Sequence, residues 1–281
     1  MAESGTRSRD DYVRNSWWDT AIIDMAPGEI RFFGYPIEEL IGRLTFSQMI
    51  WLMLRGEIPT GGQARLLDAA LMSGVDHGPQ APSIAIARIA ATCGVGLNNA
   101  MASALNTLGD VHGGAGEQSV ELYQNIAVAV DAGRTLVDAT ATEIARFVAT
   151  HGKYIPGFGH RFHPVDPRAP RLMEVVRLAA DEGIISGRFR EIGLAVEAAL
   201  ADESRGRKVP MNIDGATAVI YAELGFPAPL ARGLFCLSRA VGILAHAWEQ
   251  RCQGGRNKGP IPRNELPTYS GPAKRHVPDD L

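Results

Sequence analysis

Three of the seven histidines, His77, His112 and His160, each stand beside a glycine in a short loop between apolar stretches. An imidazole next to glycine approaches a ligand without crowding. At a helix N-terminus the dipole favours the neutral ring, the form that donates a hydrogen bond to a carbonyl oxygen. A histidine in such a place can equally cap a turn, but three of them in one chain point to a site. Asp214 lies in Asn212-Ile213-Asp214-Gly215, at the mouth of an apolar helix. It reads equally as an N-cap or as a general base whose pKa is raised by burial. Arg239 lies inside the apolar run Leu234–Leu244, where an unpaired guanidinium is costly. It must meet a carboxylate, either of the protein or of a ligand, and its planar fork suits the ligand case. Glu249 is too far along the helix to serve as its partner.

Two other chemistries are weaker readings. His160, His163 and Asp166 have the spacing of metal ligands, but Pro164 and Pro167 prevent a helix that would put them on one face. No metal site is expected, and neither nucleotide-binding glycine motif occurs. Gly157-Phe158-Gly159 reads as a flexible turn whose backbone can wrap a flat ring. Arg161, Arg168, Arg205, Arg207 and Lys208 supply cations near these loops.

The elements that must hold these groups are helical. Ile37, Leu40, Ile41, Leu44, Met49, Leu52 and Met53 recur at helical spacing, and Gly56 and Pro59 stop that helix. Residues 84–108 read as one buried helix. Further helices are expected over 118–132, 135–150, 170–181, 191–201, 215–224 and 229–250. The one strand signal is a hairpin at 21–23 and 30–33, turning at Pro27-Gly28. The predicted fold class is all-α, with a tail from Gly254 that crosses the surface.

Composition sets the frame. The chain has 281 residues, 46% hydrophobic and 21% charged, which excludes a disordered chain or a disulfide scaffold. A net charge of −3 without a basic block argues against nucleic acid. The distant, unpaired Cys93, Cys236 and Cys252 suit a reducing compartment. The polar N-terminus lacks the apolar core of a signal peptide. The Ala- and Gly-rich stretch 83–108 carries Arg88, Asn98, Asn99 and Asn106, which suits a close-packed helix rather than a membrane span. A cytoplasmic protein with no membrane or nucleic-acid partner is expected.

Several motifs in register then carry a family resemblance. Gly157-Phe158-Gly159-His160-Arg161, followed by Asp166-Pro167-Arg168-Ala169, resembles the signature of the citrate synthase superfamily. Val111 to Ala115 resembles its first catalytic histidine loop, and Asn212 to Gly215 its catalytic aspartate loop. Arg239 to His246 resembles its substrate-arginine helix. Gly34 to Leu40 and Leu54 to Thr60 match its N-terminal pattern, and the likeness covers about residues 20–272.

The resemblance implies a large helical domain (1–112 and 226–281), a smaller inserted one (113–225), an active site in the cleft, and a homodimer or higher homo-oligomer. It makes His112, His160 and Asp214 catalytic. It places His77, Arg168, Arg239 and Arg263 on substrate carboxylates. It puts Pro156, Gly157, Phe158, Gly159 and Arg161 along coenzyme A, with Arg205, Arg207 and Lys208 as candidates for its phosphates. No prosthetic group is implied; a CoA thioester is the substrate.

Within the superfamily the loops at 76–79, 108–110 and 212–215 look more like citryl-CoA lyases than citrate synthases. Synthases carry Arg-Pro-Arg before a Tyr and Gly near the C-terminus, where this chain has only the displaced Arg263 before Tyr269 and Gly271. The segment between His160 and Asp166 is one residue shorter than in many synthases. A short citrate or methylcitrate synthase is the alternative. A non-catalytic CoA- or dicarboxylate-binding regulator and a histidine-metal hydrolase follow behind it.

Overall fold

The computed structural model describes residues 17–201, 208–262 and 264–279. A small antiparallel sheet comes first. β1 (Ile23–Ala26) and β2 (Glu29–Phe32) pair with Ile23 opposite Phe32, and β3 (Tyr35–Pro36) adds to β2. The hairpin turns at Pro27-Gly28, as the sequence predicts, and Gly28 takes φ 80° there, where a side chain would be strained.

Helices make up the rest. The single helix expected from Ile37 onward is two, α1 (Ile37–Leu40) and α2 (Phe46–Arg55). Gly42 turns the chain at φ 78°, and Thr45 starts the second helix through a capping box with Gln48. Gly56 ends α2 in the left-handed conformation. α3 (Gly61–Ser73) was not predicted, because it opens on two glycines. Its start is fixed by Thr60 and Gln63 in a second capping box.

The helix expected over 84–108 is likewise two, α4 (Pro82–Thr92) and α5 (Leu97–Leu105). Gly94 at φ 85° breaks it, and Gly96 is the next N-cap. α6 (Ala115–Asp131), α7 (Leu136–His151), α8 (Arg168–Asp181), α9 (Arg188–Leu200), α10 (Ile213–Glu223) and α11 (Ala228–Cys252) lie within a few residues of their predicted spans.

The chain packs as two compact units, Met1–Asp76 with Leu108–Val241, and His77–Thr107 with Gly242–Leu281. In the first, α10 is enclosed: every residue from Gly215 to Ala222 is buried. Trp51, Leu67, Tyr123, Ile126, Val176, Ile192 and Phe226 belong to the same core. Trp51 meets Phe226 edge-on at 5.3 Å. The second unit has a core of five alanines and two isoleucines, Ala81, Ile84, Ala87, Ala100, Ala104, Ile243 and Ala247. On its surface Arg88 reaches His246 Nδ1 at 3.0 Å and Gln253 Oε1 at 2.9 Å, and pairs with Glu249. Glu249 therefore has its own partner. The tail residues 254–262 are exposed, and Asn257 and Lys258 anchor them to Thr92.

Candidate active site

Asp214 sits in the first turn of α10, but it does not cap that helix. Asn212 does: its Oδ1 accepts from the backbone N–H groups of Asp214 at 2.9 Å and Gly215 at 3.3 Å. The Asp214 carboxyl is thereby left for chemistry. Asn212 also donates from Nδ2 to Gly159 O at 2.7 Å and from its backbone N–H to Gly157 O at 2.9 Å. Gly159 N–H donates to Pro210 O at 2.8 Å, and Phe158 bridges Met211.

The Gly157–Gly159 turn is thus held rather than free. Gly157 has φ 82°, and a Cβ there would lie 2.5 Å from Ser119 Oγ and 2.7 Å from Gly215 Cα. Two glycines are needed because the two loops touch backbone to backbone. Pro156 and Phe158 are buried with it, and Phe158 meets Tyr123 edge-on at 6.5 Å.

His160 follows that turn. Its Nδ1 accepts from the backbone N–H groups of Phe162 at 3.0 Å and His163 at 3.1 Å. The neutral ring therefore carries its proton on Nε2. Burial lowers its pKa first, with His163 and Arg168 adding to that effect and Asp166 opposing it.

His112 stands in a tight turn before α6. Gly109 N–H donates to His112 O at 2.8 Å. Gly113 has φ 95°, and a Cβ there would press on Phe235 at 3.0 Å. Arg232 of α11 buttresses the turn by pairing with Asp110 at 2.6 Å and with Glu117. Burial lowers the His112 pKa, and the Arg239 charge lowers it further. In both histidines the shift favours the neutral ring, the state that donates a hydrogen bond.

Arg239, on α11, is buried at 5% exposure. Its Nε donates to Gly74 O at 3.2 Å, and its guanidinium lies 4.8 Å from the centre of the Phe235 ring. Burial lowers its pKa, while the Asp214 and Asp76 carboxylates favour its charge through space. Burial raises the Asp214 pKa, the Arg168 and Arg239 charges oppose this, and Asp166 adds to it. His112, His160, Arg168, Asp214 and Arg239 are thus bound into one electrostatic group, within the first unit.

The sequence reading passed over two residues that shape this group, Asn212 as the cap and Asp166 as an ion-pair partner. The Asp166 side chain is fully buried and pairs with Arg168. The one signal for it was its place in Asp166-Pro167-Arg168. Its engagement with Arg168 also removes it from the metal-ligand pattern with His160 and His163. Among the described residues no group of three or more His, Cys, Asp or Glu side chains is placed to hold a metal ion. The remaining expected residues are spread. His77 opens the second unit. Gly159 is half-buried, and Arg161 and Lys208 are exposed. Arg205, Arg207 and Arg263 lie outside the described residues.

Comparisons with known proteins agree on one family. Residues 61–263 match the family model described as citrate synthase, C-terminal domain. The citrate synthase of Haloferax volcanii is 30% identical over 200 residues, covering 70% of this chain and 49% of that protein. The glyoxysomal citrate synthase of Cucurbita maxima is 31% identical over 266 residues, covering 89% of this chain and 48% of that one. The chain thus spans about half the length of these curated relatives. Against the solved structure of citryl-CoA lyase from Hydrogenobacter thermophilus, the TM-score is 0.82 at 32% identity, covering 94% of this chain and 98% of that one.

Proposed function

The chain belongs to the citrate synthase family, and from that premise we propose that it is a citryl-CoA lyase, cleaving citryl-CoA to acetyl-CoA and oxaloacetate. The observation that carries this choice is likeness of fold and sequence together: a TM-score of 0.82 at 32% identity over 94% of this chain against a citryl-CoA lyase.

The chemistry is simplest in the bond-forming direction. The Asp214 carboxylate takes a proton from the methyl of acetyl-CoA. The His112 N–H stabilises the enolate oxygen of the thioester. The carbanion attacks the ketone of oxaloacetate, and the new alkoxide takes the proton of His160 Nε2. Cleavage reverses each step. The tertiary hydroxyl of citryl-CoA returns its proton to His160 Nε2, which bond formation left deprotonated, the C–C electrons pass into the enolate on His112, and the Asp214 acid protonates the carbon. Cleavage therefore starts with the mobile proton on Asp214 and off His160 Nε2. Burial raises the Asp214 pKa, which favours that starting state.

Arg239, Arg168, His77 and Arg263 are assigned to the carboxylates of the oxaloacetate portion. The Pro156–Gly159 turn with Arg161 is assigned to coenzyme A, and Arg205, Arg207 and Lys208 to its phosphates. The large (1–112 and 226–281) and small (113–225) domains, a homodimeric or larger assembly and a cytoplasmic setting belong to the same proposal.

The second reading is a short citrate synthase, favoured by the names of the curated relatives. Mass analysis of the products from citryl-CoA separates the two. A lyase releases acetyl-CoA and oxaloacetate. Free CoA and citrate as the main products would overturn the lyase reading.

A further inference from the structure

We propose that Asp166 is the positioning residue of this site, a buried anchor that fixes Arg168 and the start of the Asp214 helix in one geometry. Its two oxygens accept four hydrogen bonds. Oδ1 accepts from Arg168 N at 3.1 Å and Arg168 Nε at 2.9 Å. Oδ2 accepts from Arg168 Nη2 at 2.9 Å and from the backbone N–H of Ile213 at 3.1 Å. An ionised carboxyl offers about four acceptor sites, so this one is fully occupied and its side chain has no exposed surface. It neither touches a ligand nor moves a proton.

Its effects pass through its neighbours. Arg168, whose side chain keeps 26% exposure, is clamped through Nε and Nη2, while its Nη1 donates to Ser73 O at a long 3.5 Å. Ile213 is the first residue of α10 and Asp214 the second, so the bond to Ile213 N–H fixes where the base begins. The clamp therefore joins the loop after His160 to the helix of Asp214. A carboxylate is required rather than an amide. An asparagine would turn one NH₂ group toward two donors and lose at least two of the four bonds.

The charge matters as well. Burial alone would raise the Asp166 pKa, but the Arg168 and Ile213 hydrogen bonds overcome this and hold it below the usual carboxylate value. Asp166 therefore stays negative. The titratable and charged groups acting on His160 are Asp166, His163 and Arg168. Those facing Asp214 are Arg168, Arg239 and Asp166.

Two variants test the role, which rests on the proposed thioester chemistry only for its activity readouts. Asp166→Asn should raise the KM for oxaloacetate and slow proton exchange at the acetyl-CoA methyl, each by about tenfold or more, from the loss of charge-assisted hydrogen bonds. It should also move the His160 titration, followed by NMR, to lower pH, because the charge that favours the imidazolium is gone. Ile213→Pro removes the N–H donor, together with part of a side chain packed against the core, while keeping a residue suited to a helix start, and Asn212 before it is already extended. It should slow exchange with little change in the KM for oxaloacetate.

This split distinguishes positioning from general loosening and keeps the test open if Asp166→Asn fails to fold. Unchanged KM and unchanged His160 titration in Asp166→Asn, or unchanged exchange in Ile213→Pro, would overturn the proposal. The titration needs no turnover. A wild-type protein without thioester chemistry would overturn the proposed function instead, leaving the anchor to be judged by NMR.

Discussion

Two arginines of the same site are held in opposite ways. Arg168 is gripped by a buried carboxylate through two parallel hydrogen bonds at 2.9 Å. Arg239 is the more deeply buried residue, yet among the described residues its side chain has a backbone carbonyl and a phenyl ring as neighbours, and the Asp214 and Asp76 carboxylates favour its charge through space. A guanidinium already satisfied by the protein is part of the framework. One buried without a matched partner is expected to gain most from a ligand carboxylate. The first fixes geometry and the second binds.

That contrast can be broken by substitution, beginning with the base that both cations face. Asp214→Asn should keep the fold and thioester binding but lower methyl proton exchange by roughly 10²–10⁴-fold, the range for a general acid–base group. Exchange by NMR at wild-type rate would remove Asp214 from the chemistry. Next, Arg239→Leu should weaken oxaloacetate binding about tenfold or more, since a hydrogen bond to a charged group contributes about 1.5–3 kcal/mol, and leave CoA binding intact. Calorimetry showing unchanged oxaloacetate affinity would mean that Arg239 acts only within the protein.

Gly157→Ala probes the framework alone. A Cβ at φ 82° would press on Ser119 and Gly215, so a loss of about 1–3 kcal/mol in unfolding free energy is expected. An unchanged denaturation midpoint would show that the loop contact yields freely.

The smallest effect is in the pH dependence of stability. The folded pKa values of His112 and His160 lie below the usual 6.5. Below that value the unfolded chain binds protons that the folded one does not, so stability is full above 6.5 and falls as pH drops toward the folded values. His112→Gln should flatten part of this loss between pH 7 and 5, as read from denaturation curves. An equally steep loss in the variant would exclude His112 as a source.

Much of this contrast was legible in the sequence, for reasons that differ by residue. Arg239 stood out because a charge inside an apolar run is a local anomaly. The paired loops at 157–160 and 212–215 stood out through their glycines, whose need is visible once Gly157 and Gly215 are seen in contact. Asp166 stood out for its spacing from two histidines and its place in the family signature but not as an ion-pair partner, since a buried ion pair with a residue two positions away leaves no periodic trace. The roles of Asn212 and Asp214 could not be separated either, because both residue types cap helices well. Helix breaks at Gly42 and Gly94 were missed because apolar spacing continued across them while backbone conformation did not. The start of α3 at Gly61-Gly62 was hidden for the converse reason. A capping box overrode two poor helix formers.

The lyase assignment is tested most directly by comparing two rates under the same conditions: oxaloacetate release from citryl-CoA, and free thiol release from acetyl-CoA plus oxaloacetate. Hydrolysis needs a water held against the citryl carbonyl, and the tail of this chain lacks the Arg-Pro-Arg that synthases carry there. The account predicts that oxaloacetate release is the faster of the two. Faster thiol release would contradict it and make the protein a short citrate synthase.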